Sequence, residues 1–62
     1  MSRYTEYYNK NRSLYLTLAE CWVNQTNLVR VTDEDRVTVK KFFLKKAVRF
    51  GLVRELRSLG II

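Results

Sequence analysis

Between residues 4 and 22, the side chains Tyr4, Tyr8, Tyr15, Leu18 and Trp22, with Asn11 among them, recur four and three residues apart. That spacing places them on one face of a helix, with Ser2 as its N-cap. Tyr7, Leu14 and Cys21 lie beside the stripe, and Glu6 precedes Lys10 by four residues in the favourable orientation. The polar stretch Asn9 to Ser13 leaves a second possibility, a break there followed by a shorter helix over Leu14 to Val23. Asn24, Gln25, Thr26 and Asn27 are turn-prone, so the pattern predicts that the first helix ends near residue 24 and the chain reverses. Leu28 to Val31 then reads as a short strand or an extended connector.

Thr32 followed by Asp33, Glu34 and Asp35 is a helix start, with a capping hydroxyl and three acids where free amides and the helix dipole favour negative charge. The helix runs from 33 to 50, and Gly51 stands at the left-handed terminating position. Turning it at about 100° per residue puts Val37, Val39, Phe43, Leu44, Ala47, Val48 and Phe50 in one sector, the expected buried face. Leu52, Val53, Leu56 and Leu59 suit a short helix closed by Gly60; residues 52–56 could instead pair as a strand with 28–31. The expected fold is mainly α: two principal antiparallel helices, about 3–24 and 33–50, plus a short C-terminal helix or strand. With no Pro, repeat or linker composition, residues 1–62 read as one small domain.

Composition narrows the chemistry. At 62 residues and 47% hydrophobic, with eight aromatic side chains, the chain is too apolar for a disordered segment, and it has room for one core and one ligand surface. Cys21 has no second cysteine to pair with and there is no His, which excludes a disulfide framework and a zinc site. Cys21 is expected as a small buried hydrophobe in a reducing, cytoplasmic setting. The polar, tyrosine-rich start from Met1 to Asn11 reads as neither a secretory signal nor a membrane span. Without His, nucleophilic Ser or Cys schemes lack their usual base, and the acids at 33–35 are accounted for by capping, so an enzyme is not expected, nor is a cofactor.

Charge locates the candidate surface. Twelve Lys and Arg against six Asp and Glu give +6, and residues 36–62 hold eight of the cations with Glu55 as the only acid. Such a balance favours a polyanionic partner. Lys41, Lys45 and Arg49 form a row at four-residue spacing opposite the apolar sector, Lys40 and Lys46 flank it, Phe42 points out among them, and Arg54 and Arg57 extend it past Gly51. Like charges at this spacing cost a helix roughly 0.2 to 0.5 kcal/mol per pair, which a phosphate backbone would offset. Phe42 would stack on an unpaired base, or be covered by the first helix or a dimer mate. The competing view of the row is a solubilising face whose stems cover apolar surface. Tyr4 and Tyr8 are expected at the core edge, Tyr7 outside, and Tyr15 and Trp22 as core anchors.

Residues 39–53, a basic helix running into Gly-Leu-Val-Arg, resemble the recognition helix and following turn of winged-helix proteins. The likeness covers about a quarter of the chain, and too few residues separate Thr32 from that helix for the preceding helix and turn of such folds. The leading expectation is a small nucleic-acid-binding accessory or regulatory protein, contacting DNA or RNA phosphates through the 33–50 helix. The alternative is a small modulator or inhibitor docking its basic aromatic face on an acidic protein surface. A membrane partner ranks last because the core needs the apolar sector. The first helix serves an intramolecular hairpin or a homodimer equally well.

Overall fold

A computed structural model describes residues 3–62, so the N-cap expected at Ser2 lies outside the described residues. Three helices follow in order: α1 over Arg3–Leu28, α2 over Asp33–Phe50 and α3 over Val53–Ser58. The 26 residues of α1 rise about 39 Å at 1.5 Å each, which accounts for most of the 42 Å long dimension. No described helix is long and apolar enough to cross a membrane.

α1 does not break at Asn9–Ser13. The Asn11 side-chain amide donates to the Tyr7 carbonyl at 2.8 Å, one turn back, so it bonds within the helix rather than capping a new one. Nor does α1 stop at residue 24. Thr26 Oγ1 donates to the Val23 carbonyl at 2.8 Å and the Val29 amide to the Gln25 carbonyl at 2.9 Å, carrying the helix four residues further than predicted. Trp22, one turn before Thr26, packs against the core, tertiary support that offsets the weak propensity of the polar run after it.

The ends of α2 follow their local chemistry. Thr32 sits in the extended region, φ −75° and ψ 159°, and its hydroxyl accepts from the Asp35 amide at 3.1 Å. Gly51 closes the helix at φ 68°, ψ 37°, and the next amide, of Leu52, reaches back to the Ala47 carbonyl at 2.9 Å. This six-residue closure carries Leu52 into the core beside Ala47, both without exposed surface. A Cβ on Gly51 would lie 2.6 Å from the Tyr8 hydroxyl, so the turn needs glycine both for its φ and for the approach of α1. α3 ends by the same device: Gly60 has φ 80°, and the Ile61 amide donates to the Leu56 carbonyl at 3.0 Å.

Among the described residues there is no strand, and the pairing of 28–31 with 52–56 is not formed. Side-chain direction explains why. A strand would turn Leu52, Arg54 and Leu56 to one side, whereas a helix stacks Leu52 and Leu56 one turn apart and leaves Arg54 outside. Leu52 and Leu56 are both fully buried and Arg54 is exposed.

The core consists of Ala19, Phe43, Ala47, Phe50, Leu52 and Leu56, with Tyr8, Tyr15, Leu16, Trp22, Val39, Leu59 and Ile61 among those packed around it. It uses about half of the predicted sector of α2. Val37, Leu44 and Val48 are 52%, 46% and 74% exposed, because α1 and α3 cover only the side centred on Phe43 and Ala47. A similar turn applies to α1: Tyr8, Tyr15, Ala19 and Trp22 face inward, whereas Tyr4 and Leu18 of the predicted stripe are exposed. Cys21 is exposed as well, contrary to the buried position expected of it.

Candidate nucleic-acid interface

Four-residue spacing on a regular helix sets Lys41, Lys45 and Arg49 about 6 Å apart in rise, and all three are exposed. Lys41 and Lys45 have no ion pair or ring contact. Among the described residues the one ion pair is Arg12 with Glu55, 2.5 Å between Nη2 and Oε1. The only acid of residues 36–62 is thus held by a cation of α1, and the eight cations of that half have no acidic partner. Sequence reading missed Arg12: the partners are 43 residues apart, and no local pattern connects them. The second Glu55 oxygen, Oε2, is buried without a hydrogen-bond partner, so this carboxylate depends on Arg12.

Lys46, Phe42 and Arg49 belong to a different environment, an aromatic seam between α1 and α2. Phe42 is 44% exposed, and its ring meets Tyr15 at 5.9 Å and Phe43 at 5.1 Å between centroids, both edge-on. The first helix therefore covers part of Phe42, one of the two roles expected for it. Lys46 Nζ stands 5.0 Å over the Tyr15 ring and 5.7 Å over the Phe42 ring. Arg49 lies 5.6 Å over Phe50, with Nη2 3.5 Å from the Tyr7 hydroxyl, at the outer limit of a hydrogen bond. Phe50 stacks on Tyr15 at 5.5 Å and meets Tyr7 and Tyr8 at 6.1 and 5.8 Å. Tyr7 is exposed as expected, although its ring also meets Phe50, whereas Tyr4, expected at the core edge, is the more exposed of the two.

The remaining candidates lie apart from the row. Lys40 lines a cavity with Arg36 and Trp22 on the flank of α2 that adjoins the end of α1 and residues 59–61. Arg54 shares a shallow pocket with Leu16, Glu20 and Glu55 of α1 and α3, and Arg57 is exposed on α3. Arg36 was not among the candidates, although its spacing of four from Lys40 is visible in the sequence. Trp22, expected as a core anchor, packs on the core but is only half-buried and also lines this cavity.

The outward surface is therefore mixed. Lys41 and Lys45 can meet phosphates as free point charges, Lys46 and Arg49 present charge from fixed positions over rings, and Val37, Leu44 and Val48 border the row with exposed apolar surface. The ground for ranking a membrane last, a core that consumes the whole apolar sector, holds for Phe43, Ala47 and Phe50, with Val39 packed beside them, and not for Val37, Leu44 or Val48. Comparison with known proteins finds no matching family, no similar curated protein and no similar solved structure.

Proposed function

We propose that this chain is a small nucleic-acid-binding accessory or regulatory protein, without catalytic activity, that contacts phosphates through the outward face of α2 in a reducing, cytoplasmic setting. The observation that carries the reading is the pairing of Glu55 with Arg12, which leaves Lys41, Lys45 and Arg49 as an exposed row with no acid partner. Such a row costs the helix a little and is offset when phosphates neutralise it. On this reading α1 and α2 are an antiparallel pair. Tyr7 and Tyr8, early in α1, meet Phe50 at the end of α2, while Trp22 and Thr26 share a cavity with Arg36 at its start. The aromatic seam then holds the basic face rigid against α1.

Replacing Lys41, Lys45 and Arg49 together by Gln tests the assignment, with the double variant at Lys41 and Lys45 as a control that leaves the aromatic seam intact. Both variants are expected to keep the helical circular dichroism spectrum and to lose affinity for random-sequence DNA and RNA in fluorescence anisotropy. Affinity retained by the triple variant removes this face from consideration.

A second reading is favoured by the exposure of Val37, Leu44 and Val48 next to Lys41. Apolar side chains beside cations fit the core and rim of a protein interface, so the alternative is a modulator docking on an acidic surface of a larger protein. Copurification from cells with and without nuclease separates the two: a partner that survives nuclease is a protein. Binding to anionic vesicles in place of nucleic acid overturns both.

A further inference from the structure

The end of α1, the start of α2 and the residues after α3 converge on an open groove of about 430 Å³. Trp22, Val39, Leu59 and Ile61 supply its apolar walls, and Arg36 and Lys40, one helical turn apart, supply two cations. No acid lines it. Asp33, three residues before Arg36 on α2, is exposed, lies outside the lining and forms no ion pair with Arg36. Asn27 adds a side-chain amide able to donate and accept, and Thr26 keeps its hydroxyl oxygen as an acceptor while its proton goes to the Val23 carbonyl. Gly60 adds no side chain, and a Cβ there would meet nothing within 4 Å, so the mouth is open.

We propose that this groove binds an aromatic base carrying a phosphate, either a free nucleoside phosphate or an unpaired nucleotide of a single strand. The volume lies in the range of small-molecule sites, whose usual composition is an apolar lining with a few convergent polar groups. The two cations select an anion, and their spacing along α2 suits phosphate oxygens better than a neutral ligand. A half-buried indole beside them supplies the ring surface on which a base stacks, and base–aromatic stacking tolerates any base. Elsewhere in the molecule cations near aromatic rings are already engaged, as Lys46 is with Tyr15 and Arg49 with Phe50. Among the described residues, Arg36, Lys40 and the Trp22 ring have no ion pair, cation–ring or ring–ring contact. The ligand class rests on the nucleic-acid reading above, whereas the groove itself does not depend on the Lys41–Lys45 row.

Trp22 is the only tryptophan, so the indole emission of the full chain reports on this groove alone. Four titrants are followed by that emission: an oligo(dT) single strand, a random duplex, adenosine monophosphate and decanoate; anisotropy of a labelled oligo(dT) reports overall binding in parallel. The expected result is saturable quenching by oligo(dT) that tracks the anisotropy, with little quenching by duplex. A preference of oligo(dT) over the mononucleotide by more than about tenfold marks a single-strand site; comparable affinities mark a free-nucleotide site. The Arg36→Gln/Lys40→Gln variant, with unchanged circular dichroism, is expected to weaken quenching about tenfold and to reduce the log–log salt slope for oligo(dT) by about 0.7, the value for one phosphate contact on a single strand. Oligo(dT) binding seen by anisotropy without any change in Trp22 emission overturns the groove and leaves the nucleic-acid reading standing. Quenching by adenosine monophosphate with no binding of strand or duplex upholds the groove and sinks that reading. Quenching by decanoate alone, or undiminished nucleotide affinity in the double variant, overturns the ligand class.

Discussion

Two regions of the contact between α1 and α2 handle positive charge in opposite ways. In the aromatic seam, Lys46 and Arg49 lie over Tyr15, Phe42 and Phe50, and the rings themselves interlock. At the groove, Arg36 and Lys40 border an open volume with a half-buried tryptophan, and neither has an ion-pair or ring partner among the described residues. The difference teaches how to sort the cations of a basic protein. One that rests on a ring is already part of the packing, and its removal is felt first as lost stability. One beside an open, acid-free cavity contributes little to folding and is available to a ligand.

The largest expected effect tests whether the seam is the structural region. Phe50 is 2% exposed and meets three tyrosines. Phe50→Ala is expected to cost about 3 to 5 kcal/mol, enough to leave a domain of this size largely unfolded. Trp22→Ala, at a half-exposed position, is expected to cost about half as much, both read by urea denaturation followed by circular dichroism. Equal costs would erase the distinction between the regions.

Next in size is the turn that seats Tyr8 against the end of α2. Gly51→Ala combines a positive φ with a Cβ 2.6 Å from the Tyr8 hydroxyl, and about 1 to 3 kcal/mol of destabilisation is expected. Adding Tyr8→Phe removes the nearest atom, so the double variant should be more stable than the sum of the two single changes implies. Simple additivity would mean that Tyr8 does not press on the turn.

Arg12→Met removes the partner of Glu55 while keeping a similar stem. With both side chains about one-third exposed, the expected loss is about 1 kcal/mol, shrinking as salt is raised. An unchanged denaturation midpoint would show that water replaces the guanidinium.

The smallest effects sharpen the comparison most. Lys46→Gln forfeits its position over two rings and is expected to cost about 0.5 to 1 kcal/mol. Lys40→Gln should leave stability within about 0.5 kcal/mol of the parent. The reverse order in parallel thermal melts would contradict the assignment of one lysine to packing and the other to a ligand.

Local chemistry made the ends of α2 and α3 legible. The Thr32 cap, the acids at 33–35 and the left-handed glycines at 51 and 60 act through neighbours a few residues away, and all occupy the expected places. What depended on the arrangement of three helices was less accessible. Val37, Leu44 and Val48 read as core because periodicity gives a sector and not the width that partners cover. The continuation of α1 past residue 24 goes with the Thr26 hydrogen bond and the packing of Trp22 on the core, which offset weak propensity. On the candidate surface, four-residue spacing identified Lys41, Lys45 and Arg49 as one exposed row, but it could not show that Lys46 sits on Tyr15 or that Lys40 turns toward Arg36 and Trp22. Those placements depend on contacts between distant segments, as does the Arg12–Glu55 pair.

Electrostatic contact with a phosphate backbone releases counterions, so it is read from the salt dependence of binding. Affinity of the full chain for a random-sequence duplex is measured from low to physiological salt. Contact with about five phosphates predicts a log–log slope near −4 to −5. A flat slope, or no binding to random DNA or RNA at low salt, would contradict the account.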